Sequence, residues 1–305
     1  MRHALVLALA AGVSVAATQE QPPARFTTQA ALVTIDVLVT EGQRPVTGLT
    51  GADFDVIDNG VPQRVQQLYV ERLPLNVTLV LDASGSVQGQ RLEALKKAAA
   101  TVVDRLRPGD RAAILQFSHA LDLRSALTAD REKLYAGIQG LEAGGSTALR
   151  DATYAAVALR GSAPARTLVL LCTDGVDTAS ILEERRVVQA ARRSDVTIYA
   201  VGVREPRPPP LVVNAPRPVP PPGSEFASDD RFLKTIVEET GGRLLHTDDH
   251  RALASTFARV LEEFNGRYVL GYAPAGVPDR GWHRVEVRLK TRRARVLSRR
   301  GYFAN

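Results

Sequence analysis

Residues 77–86 read Val-Thr-Leu-Val-Leu-Asp-Ala-Ser-Gly-Ser, and no other stretch narrows the fold as far. An apolar, β-rich run with no polar face fits a central parallel strand covered on both sides. The run ends in Asp82, Ser84 and Ser86, oxygen-bearing side chains at alternate positions. Open α/β sheets place their ligands at the carboxyl ends of such strands. Three hard oxygen donors there suit a divalent cation: Mg²⁺, Mn²⁺ or Ca²⁺. Capping of the following helix by the same side chains is the competing reading.

The pattern that follows alternates strand and helix. Buried strands are predicted at 112–117, 167–172 and 196–203, with a short one at 243–246 and an antiparallel edge strand at 121–127. Helices are predicted at 89–106, 130–141 (with Asp130 as N-cap), 148–160, 182–193, 229–240 and 249–264. This alternation predicts an α/β domain over 74–265, a doubly wound, mostly parallel sheet flanked by helices.

Both flanks read as β structure. In 31–40, Val33, Ile35, Val37 and Val39 share one face, and 54–57 and 61–70 are joined by the turn signal Asp58-Asn59-Gly60. After Gly266, strands are predicted at 267–272, 284–290 and 295–303, with Val285, Val287 and Leu289 facing inward. Neither set is stable alone. One small β module built from segments 18–73 and 266–305, with the α/β domain inserted between them, satisfies both.

Cys172 is the only cysteine, which excludes an intrachain disulfide and a cysteine-based zinc site. Its place in an apolar strand predicts a buried, inert thiol. Residues 1–17 read as a secretory signal: Arg2 and His3, an apolar run over 5–13, then Val15-Ala16-Ala17. Cleavage after Ala17 and export, to the periplasm or beyond, is the expectation, with an uncleaved anchor as the alternative. The proline-rich stretch 205–223 favours extended polyproline II and is either a rim beside the sheet edge or a passive surface loop.

The net charge of +6 is uneven, since residues 280–300 hold nine Arg or Lys against one Glu. Arg284, Arg288, Lys290, Arg292 and Arg293 are expected on a solvated outer face, or against an anionic envelope surface. Export and sparse aromatic interleaving argue against nucleic acid as a partner.

Three separated pieces converge on one sheet edge: 82–86, Thr147 in Gly144-Gly145-Ser146-Thr147, and Asp174 in Thr173-Asp174-Gly175. With them the chain resembles von Willebrand factor type A domains and their metal-ion-dependent adhesion site. That site combines D-x-S-x-S, a later threonine, and an aspartate after a central strand. The resemblance covers 76–264. The flanks, with 268–274 and 301–303, are similar to a secreted bacterial subgroup that carries this domain. It implies Asp82, Ser84, Ser86, Thr147 and Asp174 as metal ligands, with Gly85, Gly145, Ser146 and Gly175 forming the rim around the ion. The Ser146-Thr147 pair and the proline-rich insert depart from the family pattern.

Ser84, Ser86 and Thr147 offer neutral hydroxyls, and only Asp82 and Asp174 carry charge. The resemblance implies that Asp174 often acts through water; the direct ligands then under-neutralise a divalent ion, and an open coordination position attracts an outside carboxylate. The resemblance therefore implies an exported, metal-dependent adhesion module that captures a Glu or Asp of a partner protein. A scaffold role in an envelope or secretion complex is the alternative. A Mg²⁺-dependent hydrolase fits less well, because Ser84 stands where a dehalogenase-like phosphatase needs a second acid. Ser84 is also outside any G-x-S-x-G elbow. His119 and His246 have no assigned acid partner and are read as structural. No catalytic residue is assigned, and no enzymatic activity is expected.

Overall fold

The computed structural model describes residues 32–304 except 43, 71–72, 160–164, 205–226 and 291–292. The signal segment, the proline-rich stretch and Arg292 therefore lie outside the described residues. In chain order the first strands are Val33–Glu41 (β1), Arg44–Pro45 (β2), Phe54–Asp58 (β3), Val61–Gln63 (β4) and Gln67–Val70 (β5). The alternating region runs Leu75–Asp82 (β6), Gln90–Asp104 (α1), Arg111–Phe117 (β7), Leu121–Thr128 (β8), Arg131–Gln139 (α2) and Leu149–Ala158 (α3). It continues through Arg166–Thr173 (β9), Glu184–Arg192 (α4), Val196–Val203 (β10), Ala227–Thr240 (α5), Leu244–Thr247 (β11) and Leu253–Asn265 (α6). Tyr268–Tyr272 (β12), Gly281–Leu289 (β13), Arg295–Leu297 (β14) and Gly301–Ala304 (β15) complete it. No helix among the described residues is long and apolar enough to cross a membrane.

The central sheet has the order β11-β10-β9-β6-β7-β8. Its strands are parallel except β8, which pairs antiparallel with β7 at the edge. β6 sits inside this sheet, and all eight of its residues are buried. Strand periodicity sorts its side chains. Leu75, Val77, Leu79 and Leu81 pack with apolar residues of α1, α2 and α6, and Val80 packs with those of α3, α4 and α5. Asp130 caps α2, accepting hydrogen bonds from the Glu132 and Lys133 amides.

The two chain ends form two further antiparallel sheets, β14-β1-β12-β5 (with β2 on β1) and β15-β13-β3-β4. β1 pairs with β12 from Val33↔Tyr272 to Val37↔Tyr268, and β3 pairs with β13 from Phe54↔Leu289 to Asp58↔Val285. Ile35, Val37, Val39, Phe54, Val56, Leu270, Val285 and Val287 share one core between them. Asn59 and Gly60 make the β3–β4 turn, both with positive φ. The doubly wound α/β fold and the β module built from both ends are thus borne out.

Two strand expectations are corrected. Residues 61–70 form two strands in different sheets, as do 295–303. In the first case the inward set changes parity, because Val65 and Leu68 both pack on the same core. A strand cannot do that without turning a corner. In the second, residues 298–300 leave the sheets for the α/β domain. Arg299 donates to the Ser194 carbonyl and reaches Asp195, while Arg300 bonds Glu238 and Glu239.

Candidate cation site

β6 and β9 are hydrogen-bonded neighbours, in register up to Leu81↔Cys172. Asp82 and Thr173 close the two strands, so the residues that follow emerge side by side at the carboxyl edge of the sheet. Ser84 N–H donates to Asp82 Oδ1 at 2.9 Å, and the Ser84 and Ser86 hydroxyls lie 3.0 Å apart. Ser86 Oγ donates to Asp174 Oδ1 at 2.6 Å, across 88 residues of sequence. Asp82, Ser84, Ser86 and Asp174 therefore meet in one cluster.

Thr147 arrives from a third loop. Gly85 N–H donates to the Gly145 carbonyl at 2.9 Å, and Gly144 N–H to the Ala83 carbonyl at 2.8 Å, which zips this loop onto the first. Gly145 has φ +79°, and a Cβ there would stand 2.1 Å from His119 Nδ1, so neither the backbone nor the space admits a side chain. Thr147, two residues beyond that contact, is buried with its N–H donating to Thr178 Oγ1, while Ser146 is exposed. Gly85, Gly145 and Ser146 lie on the open rim. Gly175 does not: it is buried, with its N–H directed at Thr173 Oγ1, because the chain turns inward after Asp174.

Burial, and then the neighbouring Asp174 carboxylate, push Asp82 up from 3.8 to about 6, against hydrogen bonds from Thr173 and Ser84 that lower it. Two carboxylates held this close and out of water repel one another, and a bound cation relieves both. Among the described residues no three His, Cys, Asp or Glu side chains cluster as metal ligands. The donors that the hydrogen bonds bring together are two carboxylates and the Ser84 and Ser86 hydroxyls, an all-oxygen set that fits Mg²⁺, Mn²⁺ or Ca²⁺ and not zinc.

Several neighbours were not legible as site residues. Thr173 Oγ1 donates to Asp82 Oδ2 at 2.6 Å; its adjacency to Asp174 was the available signal. Arg91, from the first turn of α1, reaches the Ser86 carbonyl and Asp174. His119, read as structural, has its ring against Gly145 on the rim. His246 lies at the β11 edge beside Arg204 and Asp230. A clasp holds the Thr147 loop: the Thr147 carbonyl accepts from the Thr178 and Ala179 amides. Below it, Asp177 binds Arg150 and Ser180, and Asp151 accepts from the Ile181 and Leu182 amides. Ile181, on that pinned loop, is 90% exposed. Cys172 is buried, and burial raises its thiol pKa well above the ordinary range. Of the basic C-terminal residues, Arg288 pairs with Glu286 and Lys290 with Asp55 on the outer face of β13 and β3.

A profile of the von Willebrand factor type A domain matches residues 76–259. The chain belongs to that family. The matched region of this von Willebrand factor type A protein contains all three loops of the site. An uncharacterized protein of Synechocystis is 33% identical over 39% of this chain and 32% of its own length. A UPF0353 protein of Mycolicibacterium paratuberculosis is 26% identical over 66% of this chain and 65% of its own. The chain thus spans from about a third to just under two thirds of these relatives. The human inter-alpha-trypsin inhibitor heavy chain H4 is 28% identical over 59% of this chain and 19% of its own length. Among solved structures, a von Willebrand factor type A protein from Catenulispora acidiphila superposes with a TM-score of 0.52. It is 16% identical and covers 81% of this chain and 73% of its own. The von Willebrand factor domain of the type V pilus tip protein Mfa5 of Porphyromonas gingivalis has a TM-score of 0.50 at 14% identity, covering 63% and 95%.

Proposed function

We propose that this chain is an exported protein-interaction module that captures an acidic residue of a partner protein through a divalent cation. Asp82, Ser84, Ser86, Thr147 and Asp174 would hold the ion, and Mg²⁺ is the first choice, with Mn²⁺ or Ca²⁺ as substitutes. The observation that carries this reading is the meeting of Asp82, Ser84, Ser86 and Asp174 in one largely buried hydrogen-bonded cluster, with Ser86 half-buried, at the sheet edge. Membership of the von Willebrand factor type A family supports an interaction role.

When bound, the ion supplies a Lewis-acidic position for an incoming carboxylate. The protein supplies everything else. The zipped loops 83–85 and 144–147 fix where the hydroxyls stand. Asp177 and Asp151 hold the 177–182 loop, whose Thr178 and Ala179 amides donate to the Thr147 carbonyl and whose Ile181 is 90% exposed, which would offer a partner an apolar contact on the same loop. A partner offering a Glu or Asp next to an apolar side chain complements that surface. Export of the chain rests on the basic-apolar-small pattern of residues 1–17.

The test is calorimetric titration of the full chain with Mg²⁺, with Asp82→Asn as the control, followed by capture from an envelope extract in Mg²⁺ against chelator. Saturable Mg²⁺ binding lost in Asp82→Asn, together with capture that needs Mg²⁺, is expected. No heat of binding in the wild type, with the fold intact by circular dichroism, refutes the reading.

A further inference from the structure

The site carries a fixed positive charge of its own. Arg91 Nη1 donates to the Ser86 carbonyl at 3.2 Å and stands 3.7 Å from Asp174 Oδ2. Its side chain is only 20% exposed, and that of Asp174 only 8%. Behind the two carboxylates lies a cavity of about 20 Å³, room for about one water. Apart from Asp82, Thr173, Asp174, Arg91 and His250, its lining is Val87, Leu95, Cys172, Val203 and Leu253. In such surroundings a charge is poorly screened and its neighbours feel it strongly.

The charges are simple to count. Asp82 and Asp174 ionised, with Arg91 beside them, leave the site at net −1. A divalent cation takes it to +1. We propose that Arg91 sets this charge deficit. It competes with the ion for Asp174, so the site holds the ion less tightly than its two carboxylates alone would. It also keeps the loaded site one unit positive, which is what a single carboxylate from a partner neutralises. The family pattern of five ligands does not include this residue. The inference rests on the cation-site reading above and deepens it, by assigning the selectivity for one carboxylate to a side chain outside the ligand set.

A merely structural Arg91 makes the opposite prediction. Losing its hydrogen bond to Ser86 would loosen the loop and weaken ion binding. The charge role predicts tighter binding when the charge goes. The experiment compares the full-length wild type with Arg91→Gln and Arg91→Lys. Mn²⁺ binding is read by water-proton relaxation, Mg²⁺ by competition, and glutarate serves as the carboxylate probe. Arg91→Gln is expected to bind Mn²⁺ about tenfold more tightly. It is also expected to lose the drop in relaxation that glutarate causes by displacing water from the ion. Arg91→Lys, which keeps the charge, is expected to behave as wild type. Where Arg91→Gln does not fold, Arg91→Met keeps the aliphatic stem over the cavity and carries the same comparison. Unchanged or weaker Mn²⁺ binding in a folded charge-removing variant overturns the role given to Arg91 and leaves the cation site standing. A wild type that takes up no Mn²⁺ overturns the site itself.

Discussion

Thr173 Oγ1 donates to Asp82 Oδ2 at 2.6 Å, joining the last residues of two neighbouring strands beneath the candidate cation site. A threonine in that position does what a solvent molecule would do elsewhere: it satisfies one oxygen of a buried carboxylate while the other accepts from the Ser84 amide. The same hydroxyl also receives the Gly175 N–H at 3.3 Å. Thr173→Val preserves shape and removes these bonds. Hydrogen bonds to charged groups contribute about 1.5–3 kcal/mol each, so a loss of about 2 kcal/mol is expected in urea unfolding. Mg²⁺ affinity is expected to fall as well, because Asp82 loses a partner that favours its ionised form. An unchanged urea midpoint would show that the bond is not formed.

Asp82 has a sign of its own in pH dependence. Burial and Asp174 push its carboxyl up from 3.8 to about 6. Between those values the folded protein holds a proton that the unfolded chain has released. Stability from this group is therefore greatest at low pH and falls as pH rises through the window, by about 3 kcal/mol in all. Other carboxylates run the opposite way. Burial would raise Asp177, but hydrogen bonds from Arg150 and Ser180 hold it low, and Arg192 holds Glu239 low. The readout is thus the difference between wild type and Asp82→Asn. In chelator, wild type is expected to lose ground to the variant between pH 4 and pH 7, and saturating Mg²⁺ at pH 7 is expected to restore it. A difference independent of pH contradicts this.

Gly145 is the position where a single methyl group does most damage to the site. Its φ of +79° costs any other residue about 1–2 kcal/mol, and the added Cβ also meets the His119 ring. Gly145→Ala is expected to lower the melting temperature and weaken Mg²⁺ binding. Adding His119→Ala removes the clash but not the backbone strain, so it should recover part of the loss. Full recovery would mean that the backbone strain is absent.

The β module is tied to the α/β domain by an ion pair from β1 to β9. Arg166 Nε donates to Asp36 at 2.7 Å, its Nη2 donates to the Phe264 carbonyl at 2.9 Å, and its guanidinium lies 4.3 Å from the centre of the Phe264 ring. Asp36→Ala strands a buried guanidinium, which typically costs about 3–5 kcal/mol. Because Asp36 retains partial exposure, a loss of about 3 kcal/mol in chemical unfolding is expected. Replacing both residues, as in Asp36→Ala with Arg166→Met, should cost less than the single change. A double variant as unstable as the single one argues against the ion pair as the source.

Much of the molecule follows from local sequence. A run that buries both faces has to be an interior strand, and the spacing of helices around β6 leaves little choice but a doubly wound sheet. Asn59-Gly60 sets the β3–β4 register, because that turn needs two positive φ values. Asp82, Ser84 and Ser86 sit two residues apart just after a buried strand, and that spacing by itself puts them in one place. The parity break between Val65 and Leu68 is also present in the letters, as a mark of the corner between two sheets.

Tertiary structure alone decided the rest. Arg91 joins Asp174, Thr173 joins Asp82, and His119 meets Gly145 across distances in sequence that no periodicity spans. These contacts depend on how far α1 stands from β9 and how closely two loops zip, quantities set by packing across the whole sheet. The reach of residues 298–300 to the α/β domain is of the same kind. A chain's local pattern determines which face of each element is apolar, because that is a property of neighbouring residues. Which charges end up beside one another depends on where the packed elements stop, and that is a property of the whole fold.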